Sequence, residues 1–492
     1  MGVRFIAGRA GSGKTAHCLS AVARHLRESH VAGPRLVLLV PEQAALQIER
    51  ALIERESFRT LGRCEVLSFR RLARRVLDDA AGPALRVLSP LGRQMVLRRQ
   101  IGRLRGRLRC FGASADRPGF IAALSETVSE LIQHGATPAD LERSAEGRDA
   151  NDPSGLLLRE TAAIYEAYLE FLGEAEMDAE GLLEAARKRL DSATWLHGAL
   201  FWLDGFAGYS PLQVRFLASL ARLAASMDIA LLVDPDAECV TRPDVPPDAF
   251  SLFARTERTW VELTRALHAA GVAIQPPLRL KPDPLPRFAA SPALGTLEKT
   301  FFHVAPRQAE FSPFTAHDVT ADPKAAQPAI RLVEAPDLRA EVRAAVREVH
   351  RLTVGGAASL RFRDVAIVCR SLEPYHDLLS SDLKAHGIPF FIDRRRTTTH
   401  HPLVELLRAA VRLFDAHRFA EAMIVLLKTG LTPLSPDDAD ALENVLLARG
   451  VTHPKAWSDD RWLSAPAAGE PWAADWPAAQ TARTCLLYAL GD

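Results

Sequence analysis

The sequence has no apolar run approaching the roughly 18 residues of a membrane span, which excludes a transmembrane helix as its organising feature. Cysteine is scarce. Its six residues, Cys18, Cys64, Cys110, Cys239, Cys369 and Cys485, lie far apart with no CxxC pair. That spacing argues against a zinc ribbon or a disulfide framework and for reduced thiols in a cytoplasmic protein. Lysine is rare as well, because the 61 basic residues are overwhelmingly arginine, and this makes Lys14 conspicuous. Excess charge of one sign is missing: 61 basic against 60 acidic residues leave a formal +1. Overall charge therefore predicts no nucleic-acid partner, although local clusters can. No repeat recurs at a fixed period, and the opening stretch reads as a strand and loop rather than a signal peptide.

What remains is ordinary globular material. A chain of 492 residues, 48% hydrophobic and 25% charged, is too long for one core and predicts about three domains. The first 80 residues alternate short apolar strands (Val3–Ala7, Leu36–Val40, Cys64–Leu67) with amphipathic helices (16–27, 42–56, 69–77), the pattern of a parallel sheet covered on both faces. Strand signal then gives way to long helical patterns over Leu91–Leu104, Gly119–His134 and Leu156–Glu174. It returns at Ala199–Leu203 and Ile229–Val233, each followed by an acid, Asp204 and Asp234, at the carboxyl end where parallel sheets place ligand chemistry. We therefore expect residues 1–82 with 191–275 to form a first α/β domain, interrupted by a helical insertion over 83–190. A proline-rich linker should follow over 276–329, then a second, incomplete α/β domain over 330–402 with strands at Ile330–Val333, Val365–Cys369 and Phe390–Ile392. Residues 403–492 read as a further helical insertion. Its tail is weakly patterned and the second block lacks a sealing element, so the expectation is an amino-terminal fragment of a longer protein.

One motif carries specific chemistry. Gly8-Arg9-Ala10-Gly11-Ser12-Gly13-Lys14-Thr15 matches GxxxxGK[ST] without a mismatch, after an expected strand and before an expected helix. Glycines let the backbone turn its N–H groups inward at a helix start, where the helix dipole favours phosphate. Lys14 is placed to reach the β- and γ-phosphates of ATP, and the Thr15 hydroxyl to hold Mg²⁺. Hydrolysis is a separate matter. In Phe201-Trp202-Leu203-Asp204-Gly205-Phe206, Asp204 can serve the metal, but Gly205 stands where a water-orienting glutamate is expected. Losing such a group typically costs ~10²–10⁴ in rate. Slow or absent turnover is the expectation, with Asp234 as the one replacement to consider. Only seven residues precede the loop, which leaves no room for an upstream glutamine that reads the base.

Arginine clusters are the other signal. Arg93, Arg98, Arg99, Arg103, Arg105, Arg107 and Arg109 fall in a stretch without acids, and Arg70, Arg71, Arg74 and Arg75 form a second group. Either run could track a phosphate backbone, or be a solvated helix face. Phe69 and Phe111 are base-stacking candidates whose alternative is the core. Arg394–Arg396 form a third basic group, and Arg370 invites an arginine-finger reading against a plainer salt bridge or DNA contact. His400-His401 lacks partners at metal-ligand spacing, and Ser68 and Ser210 lack a His/Asp context for nucleophilic catalysis.

Taken in order, several segments resemble one family. The phosphate loop leads into Leu39-Val40-Pro41-Glu42-Gln43 and Val66-Leu67-Ser68-Phe69-Arg70-Arg71-Leu72-Ala73. Then come Leu203-Asp204-Gly205-Phe206 with Pro211-Leu212-Gln213, the stretch Phe362–Arg370, Gly387–Asp393, His400-His401-Pro402-Leu403, Leu427–Leu431 and Leu442-Glu443-Asn444. This order resembles the B subunits of the bacterial ATP-dependent helicase/deoxyribonuclease AddAB, of the Firmicutes type, across essentially the whole chain. The resemblance implies an α/β fold of two P-loop, RecA-like parallel-sheet domains of superfamily 1 helicase type with large helical insertions. It implies ATP and Mg²⁺ at Gly8, Arg9, Ala10, Gly11, Ser12, Gly13, Lys14 and Thr15, with Thr15 and Asp204 at the metal. It also implies DNA contacts around the helicase motif Val66–Ala73, so that Ser68, Phe69 and Arg70, with Arg98, Arg99 and Arg103, are the DNA candidates. Asp204 with Gln213 would be a degenerate form of the next two motifs. The implied role is processing of DNA double-strand breaks for recombinational repair, as a heterodimer with a catalytic A subunit that supplies the principal motor. The family's nuclease motif and four-cysteine iron–sulfur cluster lie beyond residue 492, and none of the six cysteines here is assigned to it. Two other readings stay open: a motor that hydrolyses ATP and translocates on single-stranded DNA, and a non-enzymatic reader of single-stranded sequence.

Overall fold

The computed structural model describes residues 2–300 and 330–490, apart from 57, 80–85, 113, 118, 150–151, 174–175, 178–180, 243, 355–359, 394–397, 399, 458, 460–463 and 468. The chain divides into two compact units, 1–332 and 333–492.

In the first unit, β1 (Gly2–Gly8) runs into α1 (Lys14–Glu28), followed by β2 (Leu36–Leu39), α2 (Ala45–Glu56), β3 (Cys64–Leu67) and α3 (Phe69–Asp79). A mostly helical stretch comes next: β4 (Arg86–Val87), α4 (Pro90–Leu104), α5 (Phe120–His134), α6 (Pro138–Ala145), α7 (Pro153–Leu172), β5 (Glu176–Met177) and α8 (Gly181–Lys188). The sheet resumes with β6 (Leu200–Leu203), α9 (Pro211–Ala221), β7 (Ser226–Leu232), α10 (Glu238–Thr241), α11 (Ala254–Ala269), β8 (Ile274–Leu280) and α12 (Pro292–Thr300). Six strands form one all-parallel sheet in the order β3-β2-β6-β7-β1-β8. The expected α/β class with helical insertions is what the chain adopts.

Strands buried on both faces explain the near-continuous apolar runs in the sequence. One face packs Phe5, Val37, Leu39, Phe201, Leu203, Ile229 and Leu231 against α3, α8, α9 and α11; the other packs Ile6, Leu36, Leu38, Trp202 and Ala230 against α1 and α2. Phe5 stacks on Trp260 at 4.5 Å between ring centroids. Between β1 and β7, Arg4 and Asp228 sit in register and share a two-pronged ion pair at 2.6 and 3.1 Å. Buried Arg63 donates to the carbonyls of His25, Ser29 and Pro34, which ties down the carboxyl end of α1 and the turn after it.

Two expected boundaries need correction. The stretch read as a linker from residue 276 begins instead as β8, at the sheet edge beside β1, and continues through a 3-10 turn at Pro286–Phe288 into α12. Pro276 and Pro277 misled the reading, but an edge strand tolerates proline because its outer N–H groups need no ladder partner. The insertion also ends earlier than 190, since Leu182 and Ala186 of α8 and Leu190 belong to the main core; it carries a two-residue parallel pair, β4 with β5, as well. Residues 301–329 of the expected linker and Arg394–Arg396 lie outside the described residues.

The second unit is helical where it is described. Its segments are α13 (Leu338–Thr353), α14 (His376–Ala385), α15 (Pro402–Arg412), α16 (Phe419–Lys428), α17 (Pro436–Ala448), α18 (Pro454–Trp457) and α19 (Trp476–Leu490). Val342, Val346 and Val349 pack on Leu379, Leu383 and Ile388, and a second cluster gathers Phe419, Met423, Leu442, Val445, Trp457 and Leu486. The expected strands at Ile330–Val333, Val365–Cys369 and Phe390–Ile392 carry no strand assignment among the described residues. Apolar β-branched runs signal a strand, but a strand exists only with a paired neighbour.

Candidate functional site: a phosphate loop and its neighbours

The carboxyl ends of β1, β6 and β7 bring the motif residues together. After Gly8 the chain turns through Arg9–Gly13 and enters α1 at Lys14. Gly13 occupies the helix cap in the left-handed region (φ 96°), with no side chain capping the helix. The N–H groups of Gly13, Lys14 and Thr15 therefore have no acceptor among the described residues. Unclaimed donors at a helix start are what an anionic ligand needs. Ser12 is buried, and its Oγ has no hydrogen-bond partner. An orphaned hydroxyl inside the loop fits a ligand oxygen.

Lys14 folds back on its own loop, donating to the carbonyl oxygens of Gly8 (2.7 Å) and Arg9 (2.9 Å). Burial pushes its pKa down, while the charges of Asp204 and Glu298 pull it up. Asp204 is therefore an electrostatic neighbour of the loop lysine. It is 5% exposed, and its backbone N–H extends the β6–β2 ladder to Leu39. The Thr15 side chain is exposed at the start of α1. These side chains fit a nucleotide's phosphates with a divalent cation: donors for oxyanions, a lysine, a hydroxyl and a carboxylate.

The next residue settles a structural point. Gly205 has φ 81°, and a Cβ there would meet Cδ of Pro41 at 3.3 Å. The position after Asp204 is thus left-handed backbone, where a side chain costs roughly 1–2 kcal/mol. Asp234, the one replacement considered, is engaged in the structure. It accepts from Arg9 Nη1 at 3.1 Å and from the backbone N–H of Asp236 at 2.9 Å.

Sequence reasoning missed what holds the loop from outside. The Arg9 side chain points into a clamp: Nε lies 3.1 Å from Glu298 Oε1, Nη2 donates to the Glu298 carbonyl at 2.9 Å, and Nη1 reaches Asp234. The Phe253 ring lies 5.6 Å from the guanidinium. The backbone N–H of Arg287 donates to the Gly11 carbonyl at 3.4 Å, and a Cβ on Gly11 would lie 2.9 Å from the Phe288 ring. Residues 286–298 form a strap over the loop. A partner 289 residues away leaves no local signal.

The remaining candidates separate by exposure. Phe69 is 8% exposed and edge-on to Phe206, Tyr209 and Phe216, a core ring that also lines the cavity beside Arg70. Phe111 is half-buried against Phe120. Ser68 is buried, donates to Glu42 and accepts from the N–H of Arg71, which makes it a capping group for α3. Ser210 and Gln213 form a reciprocal capping box on α9. Arg70 is exposed beside a cavity of about 340 Å³ that Gln133, Leu183 and Gln213 also line. Arg75 is engaged by Glu65 (2.6 Å) and Trp195. Arg98, Arg99 and Arg103 are exposed along α4, whereas Arg93 is buried and reaches the Ser125 carbonyl. In the second unit Arg370 is exposed, and His401 caps α15 by accepting from the Leu403 N–H. No group of three or more His, Cys, Asp or Glu that could hold a metal forms among the described residues. The cysteines are all unpaired and Cys18, Cys64 and Cys239 are buried, so an iron–sulfur cluster does not fit this chain's described residues. No described helix is long and apolar enough to cross a membrane.

The family model described as ADDB, N-terminal, matches residues 5–298, well over half of the chain. Curated relatives are similar along nearly the whole chain. The ATP-dependent helicase/deoxyribonuclease B subunit from Desulforudis audaxviator is 37% identical over 462 residues, which is 93% of this chain and 37% of the relative. Its namesake in Symbiobacterium thermophilum is 37% identical over 474 residues, 96% of this chain and 38% of the relative. That of Geobacillus kaustophilus is 33% identical over 479 residues, 94% of this chain and 39% of the relative. The chain thus spans under two-fifths of the length of these relatives.

Proposed function

The chain belongs to the ADDB N-terminal family, and from that premise we propose that it is the ATP-binding part of a helicase/nuclease B subunit that processes DNA double-strand breaks for recombinational repair. In this reading it works in the cytoplasm beside a catalytic A subunit and binds Mg²⁺-ATP with little hydrolysis.

The observation that carries the reading is the open helix start at Gly13–Thr15, with the unpartnered Ser12 hydroxyl beneath it. The backbone from Gly8 to Thr15 would cradle the phosphates. Lys14 would exchange the Gly8 and Arg9 carbonyls for phosphate oxygens, a change from neutral to charged acceptors that strengthens each bond. Thr15 and Asp204 would hold Mg²⁺, which supplies charge neutralisation at the phosphates. Gly205 can neither polarise nor hold a water, and Asp234 is engaged by Arg9. Turnover should therefore be slow, and binding would act by stabilising the first unit through mass action. Exposed Arg70, Arg98, Arg99 and Arg103 would meet the DNA backbone.

The experiment is a titration of the chain with Mg²⁺-ATP, with phosphate release measured with and without single-stranded DNA. Saturable binding with negligible release is expected. DNA-stimulated turnover of many ATP per second would replace this reading with that of a motor.

A further inference from the structure

Between Asp79 and Asp116 the sequence holds no acidic residue, and the arginines there are not equivalent. Arg93 is buried, Arg105 is paired with Asp116 at 2.5 Å, and the guanidinium of Arg99 lies 6.0 Å from the Phe171 ring. Arg98, Arg103, Arg107 and Arg109 are exposed, with no ion pair among the described residues.

What organises the last two is Glu160. This residue sits on α7, 5% exposed, in a position that normally disfavours a charge. Its carboxylate accepts three successive backbone N–H groups: Arg109 at 2.6 Å and Cys110 at 2.8 Å on Oε1, and Phe111 at 2.9 Å on Oε2. Three converging N–H groups form a concave anion nest of the kind that often holds phosphate, and here the protein fills it with its own carboxylate. Leu108, buried beside Val96, Ile101 and Tyr168, pins the turn from the other side. The result is a rigid turn at the end of α4 in which Leu108 and the nest point inward and Arg107 and Arg109 point outward.

We propose that this turn, with Arg98 and Arg103, is a docking surface for the phosphodiester backbone of DNA, and that Glu160 is its positioning residue. The proposal rests on the reading of the chain as part of a DNA-processing subunit, and it adds the turn and the buried carboxylate that sets it. Guanidinium groups recognise phosphate oxygens in two-pronged pairs, so their benefit depends on orientation, and a fixed turn retains orientation that a mobile one loses. Contacts of this kind carry no base information and should show as salt dependence.

The test uses the full chain and fluorescence anisotropy on a labelled oligo-dT strand and on a duplex, over a series of salt concentrations. Converting Arg107 and Arg109 together to Gln should lower the log K against log salt slope by ~1.4 on the single strand and weaken binding about 25-fold at 0.1 M salt. Glu160→Gln retains every arginine but loses one acceptor of the nest. It should flatten the slope in the same direction and speed tryptic cleavage after Arg107 and Arg109. An unchanged slope in the double Gln variant overturns the surface. A lowered slope there with a wild-type slope in Glu160→Gln overturns the positioning role and retains the surface. The double variant leaves Glu160 and the core intact and answers for the surface alone. A wild-type circular-dichroism melt of Glu160→Gln is required before its flattened slope counts for positioning, and an unfolded variant overturns that role in favour of a purely structural one. Failure of the nucleotide reading is seen separately, in the ATP titration, which none of these variants enters.

Discussion

The carboxyl ends of β1 and β6 lie on one edge of one sheet, and they have been equipped differently. The end of β1 carries the groups on which the proposed phosphate site rests: a left-handed glycine cap, N–H groups without an acceptor among the described residues, an orphaned hydroxyl and a lysine resting on two carbonyls. At the end of β6 the carboxylate for a cation is present, but the residue after it is a glycine in a conformation that resists any side chain. In the proposed reading, binding and hydrolysis are separable, because the phosphate-holding groups gather at the end of β1 while the position that would activate water follows Asp204 at the end of β6. The missing glutamate is a feature of the backbone as well as of the side chain.

Four perturbations break or sharpen that contrast. Lys14→Ala should have the largest effect, lowering affinity for Mg²⁺-ATP about 10- to 100-fold by calorimetry, the range expected for a charge-assisted contact. Gly205→Glu should lower stability by roughly 1–2 kcal/mol in urea unfolding and leave phosphate release at background. A large gain in turnover would show that only the side chain was missing. Glu298→Gln should change ATP affinity by a smaller factor, about 2- to 10-fold, through release of Arg9 and of the field on Lys14. An unaltered isotherm would reduce the strap to packing. The smallest effect is an absence of reaction. Burial pushes the Cys64 thiol up to about 12 and that of Cys239 up to about 11, so their thiolate populations at pH 8 are negligible and rise only as pH approaches those values. Mass spectrometry after brief iodoacetamide treatment at pH 8 should find Cys110, which is exposed, alkylated and these two intact.

Much of the first unit was legible because its signals are local. β1, β2, β3 and β6 could be placed from apolar runs, and the phosphate loop from eight consecutive residues. The failures share a cause. β8 was hidden by Pro276 and Pro277, whose tolerance depends on being at an edge, a property of the assembled sheet. For Phe69, helical spacing pointed to the core before a base, but it could not name the three rings that pack against it. The Arg9–Glu298 clamp and the Glu160 nest join positions 289 and about 50 residues apart, beyond any window that periodicity can scan.

β1 lies between β7 and β8 rather than at an edge. This strand therefore finds both ladder partners only after some 270 further residues have left the ribosome. At roughly 5–20 residues per second that is a wait of about 15–50 s. During that interval β2 and β3 can pair with each other, but the glycine loop hangs from an unpaired apolar strand and α1 has little sheet to rest on. The phosphate loop is thus among the last parts of the first unit to acquire its shape, finished when Glu298 arrives to take hold of Arg9.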